Sequence, residues 1–182
     1  EKLGRLDSLQ AKAQVAVEYQ WNVPHLESGA RLWLKGARHP LLEQLFRQKN
    51  TDPHEEGRTV VPIEVRLGDG QSLLVITGPN TGGKTAALKT VGLISLMAQC
   101  GLAVPCENGS VLPLFDEIVA DIGDEQSLEQ SLSTFSAHMA RVSVILSKTT
   151  SRSLALIDEL GAGTDPTEGA ALGRAILDEL DR

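Results

Sequence analysis

Eight residues, Gly78-Pro79-Asn80-Thr81-Gly82-Gly83-Lys84-Thr85, carry the spacing G-x-x-x-x-G-K-[ST]. A loop of this composition can cradle the phosphates of a nucleotide. Gly78, Gly82 and Gly83 have no side chain in the way, so the chain can close around phosphate oxygens while successive backbone N–H groups converge on one anion. Lys84 would reach the β- and γ-phosphates, and the Thr85 hydroxyl would ligate magnesium. Ala86 continues into a helix whose N-terminus adds further donors. The plainer alternative is a glycine-rich turn arising by chance. The flanks argue against it: the apolar run Leu73-Leu74-Val75-Ile76-Thr77 predicts a buried strand, and residues 84–100 predict a helix apolar nearly all round.

A second chemical element follows the apolar run Leu154-Ala155-Leu156-Ile157, which ends in Asp158-Glu159. A carboxylate at the end of a strand beside a phosphate loop can hold the magnesium shell, which fits Asp158. The acid next to it can orient or deprotonate an attacking water, which fits Glu159. An ordinary acidic turn is the alternative for the pair. Between the two elements, residues 121–139 read DIGDEQSLEQSLSTFSAHM, polar and serine-rich before a helix with Phe135, Met139, Val142 and Leu146 on one face. Ser133 could cap that helix, or the same N–H groups and hydroxyls could touch a γ-phosphate bound to another subunit; both can hold together. After the carboxylate pair, Asp165, Pro166 and Glu168 mark a capped helix start.

Positioning these groups falls to elements in a recognisable order. Residues 3–20 place Leu3, Leu6, Leu9, Ala13 and Ala16 at helical spacing, an expected amphipathic helix. Residues 30–34 suggest a strand and 41–46 a short helix after His39-Pro40, and 47–58 are polar throughout, a surface loop. Residues 59–67 alternate as a strand does, with Pro62 arguing for an edge position. From Leu73 onward strands and helices alternate: a strand at 115–121, a helix at 134–147, a strand at 154–158 and a helix from Pro166. That order predicts an α/β fold with a largely parallel sheet flanked by helices.

Bulk properties set bounds. The chain has 182 residues, 41% of them hydrophobic, enough for one ordinary core. A net charge of −7 argues against a surface that grips nucleic acid all over. Cys100 and Cys106 lack metal-ligand spacing and read as free thiols of a reducing compartment. No run is long enough for a membrane span and no signal peptide is present, so no membrane partner and a cytoplasmic location are expected. A first residue other than methionine and a last residue inside an apparent helix suggest an excised piece of a longer protein.

TGPNTGGKT, LSTFSAHM and LIDELGAGTDPTEG, in this order and spacing, resemble the ATPase domain of the MutS family, the DNA mismatch-repair ATPases and their relatives. GPNTGGKTAALKTVGL, DIGDEQSLEQSLSTFSAHM and GTDPTEGAALG are more similar to its second bacterial branch, associated with suppressing homologous recombination. ARHPLLE at 37–43 resembles the family's entry into that domain. The resemblance implies a P-loop NTPase of ABC-ATPase type, truncated at its C-terminus, with residues 1–20 the end of a helical arm and 21–182 the ATPase domain. It implies a homodimer in which one subunit's phosphate loop meets Ser133 and Thr134 of the other, with ATP, ADP and Mg2+ as ligands. Val61, Pro62 and Ile63 stand where relatives contact the adenine; His39 is a second candidate, for which a role in a tight turn is the better reading.

The sequence departs from the family in three ways. It stops before the strand and histidine that relatives place after the Asp-Glu pair, it has no Phe-x-Glu mismatch-reading motif, and it lacks the clamp and nicking domains. The expected activity is Mg-dependent ATP hydrolysis coupled to branched or recombination DNA through domains absent here. The alternatives are a nucleotide-switched dimer clamp with slow hydrolysis, acting on stalled ribosomes, and a transporter ATPase, whose LSGGQ loop is replaced by LSTFS.

Overall fold

The computed structural model describes residues 1–49, 57–123 and 131–181, without the side chains of 49, 80 and 131–134. The chain divides into two compact units: Glu1–Asp69 with Lys89–Leu114, and Gly70–Leu88 with Phe115–Arg182.

The first unit is built on a four-stranded mixed sheet in the order β1-β4-β2-β3, from β1 (His25–Glu27), β2 (Leu32–Ala37), β3 (Ile63–Leu67) and β4 (Val111–Pro113). β1 and β4 are parallel, whereas β2 runs antiparallel to both β3 and β4. In β2 the reason is visible in the sequence. Leu32 and Leu34 are buried while Trp33 and Lys35 lie on the other face, the one-sided alternation that suits an antiparallel sheet. β4 lies between β1 and β2 and buries all three of its residues. Helix α1 (Lys2–Tyr19) forms as expected but buries none of its residues; Leu3 is 81% exposed. Helix α2 (Pro40–Lys49) takes in the start of the segment expected to be a loop, and residues 50–56 lie outside the described residues. β3 is an edge strand starting just after Pro62, as a residue without an N–H requires. From α3 (Lys84–Gln99), Val91, Ile94 and Ala98 join the core of this unit.

The second unit contains a separate two-stranded parallel sheet, β5 (Glu117–Asp121) with β6 (Ser153–Ile157), paired from Glu117↔Ser153 to Asp121↔Ile157. Helix α4 (Ser131–Lys148) packs on β5 and on α5 (Pro166–Leu180), with Val142, Ile145, Leu154, Leu156 and Ile176 buried. Pro166 sits at the start of α5, and Asp165 accepts N–H groups from Thr167 and Glu168, so the cap forms as its residues dictate.

These findings correct the expected fold. A largely parallel sheet of P-loop NTPase, ABC-ATPase type is not what forms; the chain has a small mixed sheet and a separate parallel pair. Residues 73–77, expected as a buried strand, belong to no ladder, and Leu74, Val75 and Ile76 are 49%, 60% and 37% exposed. An apolar run favours burial but names no hydrogen-bond partner, and a parallel strand exists only by pairing. β5 and β6 satisfy each other, and neither pairs with residues 73–77.

The core assignment is testable. Leu34, fully buried, should cost about 2–5 kcal/mol on replacement by alanine in urea unfolding. Leu6→Ala, at a position 62% exposed, should stay within about 0.5 kcal/mol.

Candidate functional site

Asp158 follows the last residue of β6, and its N–H donates to the Asp121 carbonyl at 2.9 Å, extending the parallel pairing by one bond. Its carboxylate is then held by two donors. The Thr85 hydroxyl donates to Oδ2 at 2.5 Å, and the Glu159 N–H donates to Oδ1 at 3.1 Å. Thr85 lies in the first turn of α3, so the structure joins the two residues that the sequence assigns to magnesium. A hydroxyl and a carboxylate are hard oxygen donors. They suit an ion that takes one or two protein ligands and fills its shell with phosphate and water. Among the described residues no group of three or more His, Cys, Asp or Glu is placed to hold a metal.

The glycine loop approaches α3 through a short 3-10 turn, Asn80–Gly82, preceded by extended Pro79 and closed by the Gly82 N–H donating to the Pro79 carbonyl at 2.9 Å. Gly78 at φ 144° and Gly83 at φ 78° adopt backbone that L side chains rarely take, and a Cβ at either would meet nothing, so conformation rather than space requires glycine. Lys84 folds back over the loop, its Nζ donating to the carbonyls of Gly78 at 2.7 Å and Pro79 at 3.0 Å. Thr81 is exposed and Ala86 half-buried. The ammonium, the loop and the Thr85–Asp158 pair all belong to the second unit.

Glu159 has φ 50°, a left-handed conformation for a side-chain-bearing residue. Such backbone costs about 1–2 kcal/mol and persists only where the surroundings impose it. Here the Ala162 N–H donates to the Glu159 carbonyl at 2.9 Å, closing a tight turn. Beyond it, Gly161 at φ 82° packs its backbone against Gly169 of α5 so closely that a Cβ on either would overlap the other. Gly163 lies against Phe135 of α4. The loop after the acid pair is thereby seated on both helices, and the Glu159 carboxylate is left exposed.

Other expectations fare differently. Ser133 lies inside the first turn of α4 rather than ahead of it, so it does not occupy the cap position; the side chains of Ser133 and Thr134 lie outside the described residues. Val61 is 79% exposed in the first unit, and Pro62 lines an open cleft with Trp33, Lys35, Glu64, Arg66 and Glu107. His39 is buried, its Nδ1 accepting the Leu42 N–H and its carbonyl the Glu43 N–H, which is the turn role. Burial, helped by the charge of Lys89, holds its pKa below the ordinary 6.5. His39 therefore folds neutral, and stability that is full above the unfolded value of 6.5 should fall as pH drops below it; His39→Gln should flatten that fall in thermal melts between pH 7 and 5.

Three residues escaped the sequence reading. Asp121, buried at the end of β5, takes Arg141 Nε on Oδ1 at 2.5 Å, with His138 Nδ1 2.5 Å from Oδ2. The spacing of His138 and Arg141 on one helix face was readable; their partner 17 or more residues earlier was not.

The backbone strain at Glu159 separates two substitutions. Glu159→Gly should raise stability by about 1 kcal/mol in thermal unfolding, because glycine takes φ > 0 without penalty, whereas Glu159→Gln should leave stability nearly unchanged.

A family model described as MutS domain V matches residues 74–182. Among curated proteins, "Endonuclease MutS2" of Finegoldia magna is 54% identical over 96% of this chain and 21% of its own length. The proteins of the same name from Pediococcus pentosaceus and Halalkalibacterium halodurans are each 52% identical, over 98% and 99% of this chain. The chain thus spans about a fifth, 21%, of the length of these relatives. The phosphate-loop motif, the Asp158-Glu159 pair and the capped α5 all fall inside the matched region, and the chain belongs to the MutS family through its domain V, with its relatives on the MutS2 branch.

Proposed function

We propose that this domain binds ATP with magnesium and hydrolyses it, using a site completed by a second copy of the chain. The observation that carries the reading is the 2.5 Å hydrogen bond from Thr85 to Asp158, which brings together oxygen donors 73 residues apart at the mouth of a G-x-x-x-x-G-K-T loop. Lys84 and the backbone N–H groups from Gly83 to Ala86 would bind the β- and γ-phosphate oxygens. Magnesium, held by Thr85 Oγ1 and Asp158, would neutralise charge between those phosphates. Glu159 would orient the water and accept its proton as the water attacks the γ-phosphate in line. Its exposed carboxylate beside a metal-binding acid suits that task.

The first turn of α4, with Ser133 and Thr134, is the contribution expected from the partner copy, since a helix N-terminus directs N–H groups at an anion. ADP would remain after turnover and relax the pairing. In the full-length protein we read the cycle as coupled to branched or recombination DNA. The relatives are named endonucleases, which puts a nucleic acid among their substrates. The net charge of −7 supports a reading in which contacts to that nucleic acid would lie on other parts of the protein.

The test is ATP turnover per subunit as a function of protein concentration. Specific activity should rise with concentration, Lys84→Ala should abolish turnover and weaken nucleotide binding, and Glu159→Gln should lose turnover by about 10²–10⁴-fold while keeping binding. Activity independent of concentration would reject the shared site, and turnover surviving Lys84→Ala would reject the phosphate loop.

A further inference from the structure

Asp121 is 8% exposed, so its charge has to be compensated inside the protein. The compensation comes from one face of one helix. Arg141 donates through Nε to Oδ1, and His138, three residues earlier on α4, brings Nδ1 within 2.5 Å of Oδ2. The opposite end of the same residue is also engaged, because its carbonyl accepts the Asp158 N–H at 2.9 Å. A single residue is therefore bonded to the carboxylate strand and to the helix whose first turn contains Ser133 and Thr134.

An ion pair whose acid is buried but whose Arg141 side chain is 45% exposed is a poor source of net stability, since solvent screens the cation while the acid still loses its hydration. What a two-point grip provides is orientation. The Arg141 hydrogen bond alone would leave α4 free to turn about it; the His138 ring, set 2.5 Å from the other carboxylate oxygen on the same helix face, adds a second point of contact that limits that rotation. His138 is largely buried, with Nδ1 facing Asp121 Oδ2 and Nε2 without a hydrogen-bond partner among the described residues.

We propose that Asp121 is a positioning residue for nucleotide turnover. By gripping α4 through His138 and Arg141, it sets where the first turn of that helix stands relative to Asp158, and so whether the turn meets a γ-phosphate held by the partner copy. The proposal rests on the reading of that turn as the partner's contribution.

The experiment uses the full-length protein with Asp121→Asn, Arg141→Met, their double variant and Arg141→Lys. It measures kcat, KM for MgATP, affinity for a fluorescent ATP analogue, and Tm. The single variants should lower kcat by about 10- to 100-fold while KM and analogue affinity stay within about twofold, as expected when a group is displaced rather than lost. The double variant should be no slower than the worse single, because both cut one connection, and Arg141→Lys should recover part of the rate. Unchanged kcat would overturn the proposal. So would kcat, affinity and Tm falling together, or single effects that multiply in the double variant, since each marks a merely structural contact. Ser133→Ala separates this idea from its premise: a normal rate there rejects the partner contact and the proposal with it. A slow Ser133→Ala beside a normal Asp121→Asn rejects the proposal alone.

Discussion

The carboxylate of Asp158 is the point on which the second unit depends. Its two oxygens are committed to different segments: one takes the Thr85 hydroxyl from the start of α3, the other takes the N–H of Glu159. Its own N–H is spent on Asp121, so backbone and side chain are fixed independently. A carboxylate so held can neither swing into solvent nor rotate away from the hydroxyl without breaking a bond. Thr85 and Asp158 are therefore already side by side, and a ligand that used the pair would not have to supply the free energy of assembling it. The strain at Glu159 follows from the same commitment, because a residue whose N–H turns back to the preceding side chain is drawn out of the extended backbone of β6.

The two units solve different problems. The first buries a sheet on one face only and leaves the other face polar. There Trp33 donates to Glu64 and lies beneath the charges of Lys35 and Arg66. That face gains cation–π contacts, each worth about 0.5–1 kcal/mol at an exposed position. Glu64 accepts from Trp33 and Arg66, and these contacts lower its pKa. The second unit spends its polar residues on ends of elements instead: Asp121 at the end of β5, Asp158 after β6, Asp165 before α5. Acids at element ends are where backbone donors are unsatisfied, so structural and chemical demands fall on the same positions.

Much of the site was legible because its residues act locally. The 3-10 turn and the left-handed Gly83 follow from glycine placement, and the start of α5 follows from Asp165, Pro166 and Glu168. The pairing of Thr85 with Asp158 was inferred from chemistry alone, since both types serve one ion. Strand pairing was the illegible part. The run at 73–77 has the composition of a strand and joins no ladder among the described residues, while β2 and β3, weaker in pattern, form one. The grip of His138 and Arg141 on Asp121 was equally hidden, because a single sequence shows which charges exist but not which meet.

The contact between Gly161 and Gly169 has a mechanical meaning. With backbone pressed on backbone and no side chain between, the turn after Glu159 and the first turns of α5 have no compressible layer to absorb displacement. Leu160 adds to this where it meets Gly173, one helical turn further along. Helix and turn must then travel as one piece. A force applied along α5 is therefore carried to the turn that holds Glu159, which makes the helix a pushrod for that residue.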